Sequence, residues 1–147
     1  MKNNKDDLSN DIVVKLKLNE KDEIIPIFPN NFNPKEKKKQ VQHYYANGEL
    51  KKIGYSEQSP KDSLSAFKNG QKKGSPSIRT KQMHLIIKQE LEKGNCVYVT
   101  LKQVEEGKTP KEASDETIEE YKKNNNGLAP EWNKQKNHKK WNDDEDK

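Results

Sequence analysis

The chain has 147 residues, a length that suits one domain with tails rather than two domains. Only 28% of its residues are apolar and 36% are charged, against an apolar share of about 45% in a globular chain; a compact core therefore requires the apolar residues to be concentrated in part of the sequence. The single cysteine, Cys96, excludes an intramolecular disulfide and a cysteine-based zinc cluster, while a net charge of +5, carried almost wholly by lysine, suits sequence-tolerant attraction to phosphate backbones.

Residues 1–11 are almost all polar and read as a disordered tail. They lack the apolar stretch of a secretory signal, and no run in the chain approaches the roughly 18 apolar residues of a membrane span, so a cytoplasmic protein is expected. Residues 11–19 alternate, with Ile12, Val14, Leu16 and Leu18 on one side, and predict an amphipathic strand. Residues 24–28 are apolar but carry Pro26, which confines them to an edge strand or an extended arm. A loop rich in lysine follows over residues 29–39. Residues 12–39 are thus free either to add strands to a sheet or to form a dimer arm.

Asn47-Gly48 is the preferred pair for a two-residue type I′ turn, and it predicts a hairpin of residues 41–46 with 49–55. In that register Tyr45 faces Leu50, His43 faces Lys52 and Val41 faces Gly54. Ser59, Pro60 and Asp62 then form a helix start, with Leu64 and Phe67 on the apolar side and Gly70 as the stop. Residues 71–77 form a basic loop. A second helix is predicted over residues 80–92, with Met83, Ile86, Ile87 and Leu91 on its repeating face and Gly94 ending it. Residues 96–101 predict a strand, with Val97 and Val99 on one face and Cys96 as a small buried residue. Thr109-Pro110-Lys111-Glu112 opens a third helix as a capping-box variant, and residues 124–127 stop it. Trp132 and Asn133 fix the chain end onto the sheet, and residues 134–147 form a second disordered, charged tail. The fold class is α+β, a small antiparallel sheet flanked by about three helices.

Three places in residues 40–133 resemble the GIY-YIG nuclease superfamily. Val41, Gln42, His43, Tyr44 and Tyr45, followed across the turn by Lys52, Ile53, Gly54, Tyr55 and Ser56, resemble its paired signature strands. The helix from Ser59 and the following Gly74, Ser75, Pro76, Ser77, Ile78, Arg79 and Thr80 resemble its next segment. The acidic third helix, closed by Pro130, Glu131, Trp132 and Asn133, resembles its end. The signature tyrosines fall on His43 and Lys52, with Tyr44, Tyr45 and Tyr55 ready to substitute if the register slips by one. The helix arginine falls on Ser63, for which Arg79 or Lys61 would compensate.

The resemblance implies hydrolysis of DNA phosphodiester bonds with one divalent ion, Mg²⁺ or Mn²⁺. Such chemistry needs a base, a cation for the phosphate and a carboxylate for the metal. His43 and Tyr45 are candidates for proton handling, although His43 is equally an ordinary strand residue packed beside Tyr45. Lys52 is a candidate phosphate contact. Arg79, the only arginine, has a planar fork that grips phosphate at two points. Glu116 and Glu119 lie one turn apart on the third helix, and Glu116 is the favoured metal ligand. Lys61, Lys68, Lys72, Lys73 and Asn133 are candidates for nucleic-acid contacts. His84 and Cys96 lack the spacing and number of ligands for a metal site. Because one small domain holds one active site, double-strand cleavage calls for a homodimer or two sequential nicks. Two other readings stand beside the nuclease: a degenerate relative that binds nucleic acid without cutting it, and an adaptor that binds a protein through its sheet.

Overall fold

The computed structural model describes residues 12–68 and 78–133. The expectations for Gly70, the basic loop with Lys72 and Lys73, and both tails lie outside them. Five strands, β1 (Ile12–Leu18), β2 (Ile24–Ile27), β3 (Gln40–Ala46), β4 (Glu49–Ser56) and β5 (Val97–Gln103), form one sheet in the order β2-β1-β5-β3-β4. Every neighbouring pair is antiparallel. The helices are α1 (Pro60–Ser65), α2 (Ile78–Glu92) and α3 (Pro110–Lys123). The architecture is α+β. Residues 12–39 therefore contribute strands, and Pro26 sits on the outermost one, where its missing N–H is tolerated.

The local signals act as their chemistry requires. Asn47 and Gly48 both have positive φ, 54° and 83°, as a type I′ turn demands. The Ser59 side chain accepts from the Asp62 N–H, and Thr109 and Glu112 close a reciprocal capping box. Gly94, at φ 89°, turns the chain out of α2 while its N–H bonds the Leu91 carbonyl.

Two layers of core form. The larger packs Val14, Leu16, Tyr44, Ala46, Val97 and Val99 against Leu64 of α1 and Met83 and Ile87 of α2, with Trp132 joining from the chain end. The smaller, on the opposite face, joins Val41 and Ile53 to Ile118 of α3 and Ala129.

Three expectations need correction. Helix α1 ends at Ser65, before Gly70, because the chain tightens there: Phe67 and Lys68 donate to Leu64 and Ser65, and the Lys68 carbonyl then accepts the Ile24 N–H at 2.8 Å. Cys96 is exposed. It lies just before β5, and its carbonyl accepts from the Asn47 N–H, tying the hairpin tip to the sheet. The third concerns the hairpin register and is decisive for the site.

Candidate active site

Tyr45 faces Leu50 as the turn dictates, but beyond that pair the register slips by one. Lys51 has no partner on β3, so a one-residue bulge puts Tyr44 opposite Lys52 and His43 opposite Ile53. His43 and Lys52 accordingly lie on opposite faces of the sheet, because successive strand residues alternate. The bulge is braced by contacts, most of them from residues distant in sequence. The Lys51 carbonyl accepts the Trp132 N–H at 2.8 Å, and the Lys51 ammonium meets Glu131 at 2.9 Å and Glu49 at 3.1 Å. Two residues on, the Asn133 side chain accepts from the Ile53 N–H at 2.9 Å and donates to the Ile53 carbonyl at 2.8 Å. The amide thus stands in for a sixth strand along the outer edge of β4. Both ends of the Asn133 amide are engaged there, holding the edge.

On the α1 side, Gln40, Gln42 and Tyr44 form a buried polar row along β3. The Tyr44 hydroxyl donates to Gln42 Oε1 at 2.8 Å, and Gln42 Nε2 is within 3.0 Å of both Gln40 Oε1 and Ser63 Oγ. Gln40 Nε2 reaches the carbonyls of Lys38 and Gln58. Such a row keeps its polar atoms satisfied and admits one register only. Ser63 is engaged in this network. Lys52 lies beside Tyr44, and a methyl at Gly54 would meet only the Lys52 stem, at 3.8 Å. Glycine is therefore not demanded by crowding here; small strand residues of this kind leave room for a group that approaches from outside.

On the other face, His43 packs between Ile53 and Thr100. Its Nδ1 is buried with no hydrogen-bond partner. Burial, and then the Lys102 ammonium, push its pKa from 6.5 down to about 4. At neutral pH the ring is uncharged, and as a base it is weak. Beyond Ile53, a groove of about 420 Å³ runs between β4 and α3, bounded by Leu50, Ile53, Glu116, Thr117, Glu120 and Tyr121, with Asn124 and Asn125 at its end. Its polar groups are carboxylate, hydroxyl and amide, the oxygen donors that suit Mg²⁺. No group of three or more His, Cys, Asp or Glu gathers among the described residues, so an ion here would keep most of its water, as Mg²⁺ usually does. The donor set fits. Glu116 at present holds Lys108 at 2.6 Å, and Glu116 and then Glu105 hold that ammonium's pKa above its ordinary value.

The candidate residues thus divide. His43, Tyr45 and Glu116 lie on the α3 side, and Lys52 on the α1 side. Glu119 is exposed, pairs with Lys122 and does not line the groove. Tyr45 stacks on Tyr98. Lys61 and Lys68 are exposed around α1, Lys68 within 3.9 Å of Glu23. Arg79 stands in the first turn of α2, its side chain outside the described residues. His84 and Cys96 form no metal pair; His84 Nδ1 bonds the Phe67 carbonyl. Sequence reasoning missed Gln42 and Glu120. The spacing of Glu116 and Glu120, four residues apart, was a usable signal for the second. Gln42 had none, because a polar residue in an alternating strand reads as outward-facing.

This arrangement is similar to that of a point mutant of EndoII, an endonuclease of bacteriophage T4. The TM-score is 0.58 at 15% sequence identity, covering 83% of this chain and 91% of that one. The likeness is one of fold, and the fold is GIY-YIG-like. No protein-family model matches the chain, and no curated protein does. No helix among the described residues is long and apolar enough to cross a membrane.

Proposed function

We propose that this protein is a metal-dependent endonuclease that hydrolyses phosphodiester bonds of DNA. The observation that carries the reading is the match in architecture to EndoII over nine-tenths of that chain, with a mainly apolar groove between β4 and α3 that Glu116 and Glu120 border. Glu116, with Glu120 one turn on, would hold Mg²⁺ or Mn²⁺, and the ion would supply positive charge for the phosphate and activate water. Lys52, on the opposite face of the sheet from Glu116, offers its ammonium to a neighbouring phosphate of the same strand beside Gly54, and the Gln42–Tyr44 row orients the phenol next to it. Arg79 is the second phosphate-gripping candidate. His43, with its pKa near 4, contributes packing rather than base catalysis.

A second reading, a protein that binds nucleic acid without cutting it, is favoured by two particulars. Lys108 occupies Glu116, and Ser63 supplies no charge and is engaged with Gln42. Incubating supercoiled plasmid with the purified chain, in Mg²⁺, Mn²⁺ or chelator, separates the two. Metal-dependent nicking that is lost in both Glu116→Ala and Lys52→Ala supports the nuclease. A gel shift with no nicking in either metal removes the enzyme and leaves the binder; neither nicking nor shift points to a protein partner.

A further inference from the structure

The sheet face turned toward α3 is covered where that helix lies, over β3 and β4. Across β1 and β2, and at Tyr98 and Lys102 of β5, the same face reaches solvent among the described residues, while Thr100 between them is buried. Val13 is 38% and Ile27 44% exposed, and Lys15, Lys17 and Lys102 reach solvent. The register arranges what stands there. Ile27 faces Lys15, Lys15 faces Tyr98, Tyr98 faces Tyr45 and Tyr45 faces Leu50, so one row of side chains crosses all five strands.

At the middle of that row the Tyr45 and Tyr98 rings stack, with centroids 5.0 Å apart and planes 13° from parallel. The separation is close to the spacing of neighbouring strands, about 4.8 Å. The rings therefore stand side by side, one per strand, and turn their flat faces to their row neighbours. Leu50, part of the smaller core, closes one end of the stack. The other end opens toward Lys15. None of β1, β2 and β5 carries an Asp or Glu, so this stretch of the face is positive.

We propose that this open face binds single-stranded nucleic acid, with a base extending the Tyr45–Tyr98 stack at its Lys15 end and Lys15, Lys17 and Lys102 meeting the neighbouring phosphates. A flat ring at the end of a stack suits any base, and a basic rim suits any backbone, so recognition here is sequence-tolerant. Charge decides against a second copy of the chain as the occupant. Two such faces brought together would oppose lysine to lysine, with no carboxylate on these strands to intervene. The site adjoins the β4–α3 groove across Leu50 and extends away from it over β5 and β1, where it would hold a strand that has left the duplex. It rests on the nucleic-acid reading above only for the nature of the partner.

The test is titration of the full chain, in chelator, with a fluorescein-labelled thymidine oligonucleotide over a range of salt. Tyr98→Ala weakens binding about tenfold, while Tyr98→Phe, which keeps the ring, stays near wild type. Lys15→Gln combined with Lys17→Gln lowers the slope of log affinity against log salt by about 1.4. These two lysines are exposed, so the pair tests the proposal even if Tyr98→Ala folds poorly. Wild-type affinity and slope in all these variants would overturn the proposal; plasmid nicking would then still decide the nuclease reading by itself. Failure of the wild type to bind either single strands or duplex removes both. A dimer in sedimentation that Tyr98→Ala dissociates, with oligonucleotide binding unchanged, would make this face a contact between copies and overturn the proposal as well.

Discussion

The two faces of the sheet are built from the same five strands and are finished in opposite ways. The face under α1 and α2 is closed. Its apolar residues meet two helices and Trp132, and its polar residues, Gln40, Gln42 and Tyr44, satisfy one another and Ser63. The face under α3 is closed over β3 and β4 alone. It leaves one imidazole nitrogen without a partner, a mainly apolar groove bordered by two carboxylates, and an aromatic pair among lysines. The difference shows where stability resides: the face packed by two helices holds the larger core and the face closed by α3 alone the smaller, while Lys52 and Gly54 lie on the outermost strand of the packed face.

The largest effect should come from the closed face. Ile87→Ala removes a side chain with no exposure at the centre of the larger core, and urea unfolding should show a loss of about 3 kcal/mol. Ile118→Ala, in the smaller core, should lose less; an equal or greater loss would break the comparison. Next is the buried imidazole. His43 has an ordinary pKa of 6.5 when unfolded and about 4 when folded. Folding therefore favours its neutral form, and the stability it contributes is fully present above pH 6.5 and lost as pH falls through about 4. Wild type should lose up to about 3 kcal/mol more than His43→Leu between those limits. Parallel pH profiles would show instead that His43 reaches water.

The edge that joins the two faces comes third. Asn133→Ala leaves the outward N–H and carbonyl of Ile53 without their partner, at about 1 to 2 kcal/mol. Hydrogen exchange at Ile53 should quicken, and unchanged exchange would mean that water replaces the amide freely. Smallest is Gly48→Ala, where φ of 83° strains an L side chain by about 1 kcal/mol. The melting temperature should fall slightly, with the sheet's circular dichroism unchanged.

Much of the fold was legible because its signals are local. The alternation of β1, Asn47-Gly48, the Ser59 and Thr109 caps and Gly94 each act within a few residues, and each appears where its chemistry places it. The site was less legible. Val41 to Tyr45 did locate the central strand, and Glu116 does line the groove. But the facing of His43 and Lys52 was inferred from an unbroken register, and nothing near Lys51 announces a bulge. The end of α1 was misjudged for a related reason, since the bond from Ile24 to Lys68 spans more than forty residues.

The sequence by itself determined where helices and strands begin, how the hairpin turns and which residues are apolar enough to be buried, because these follow from neighbours along the chain. Only the tertiary structure decided which side chains meet across the sheet. The register of β4 shifts by one residue at Lys51, where the Trp132 and Asn133 bonds brace it, and in a strand of period two a one-residue shift moves a side chain from one face to the other.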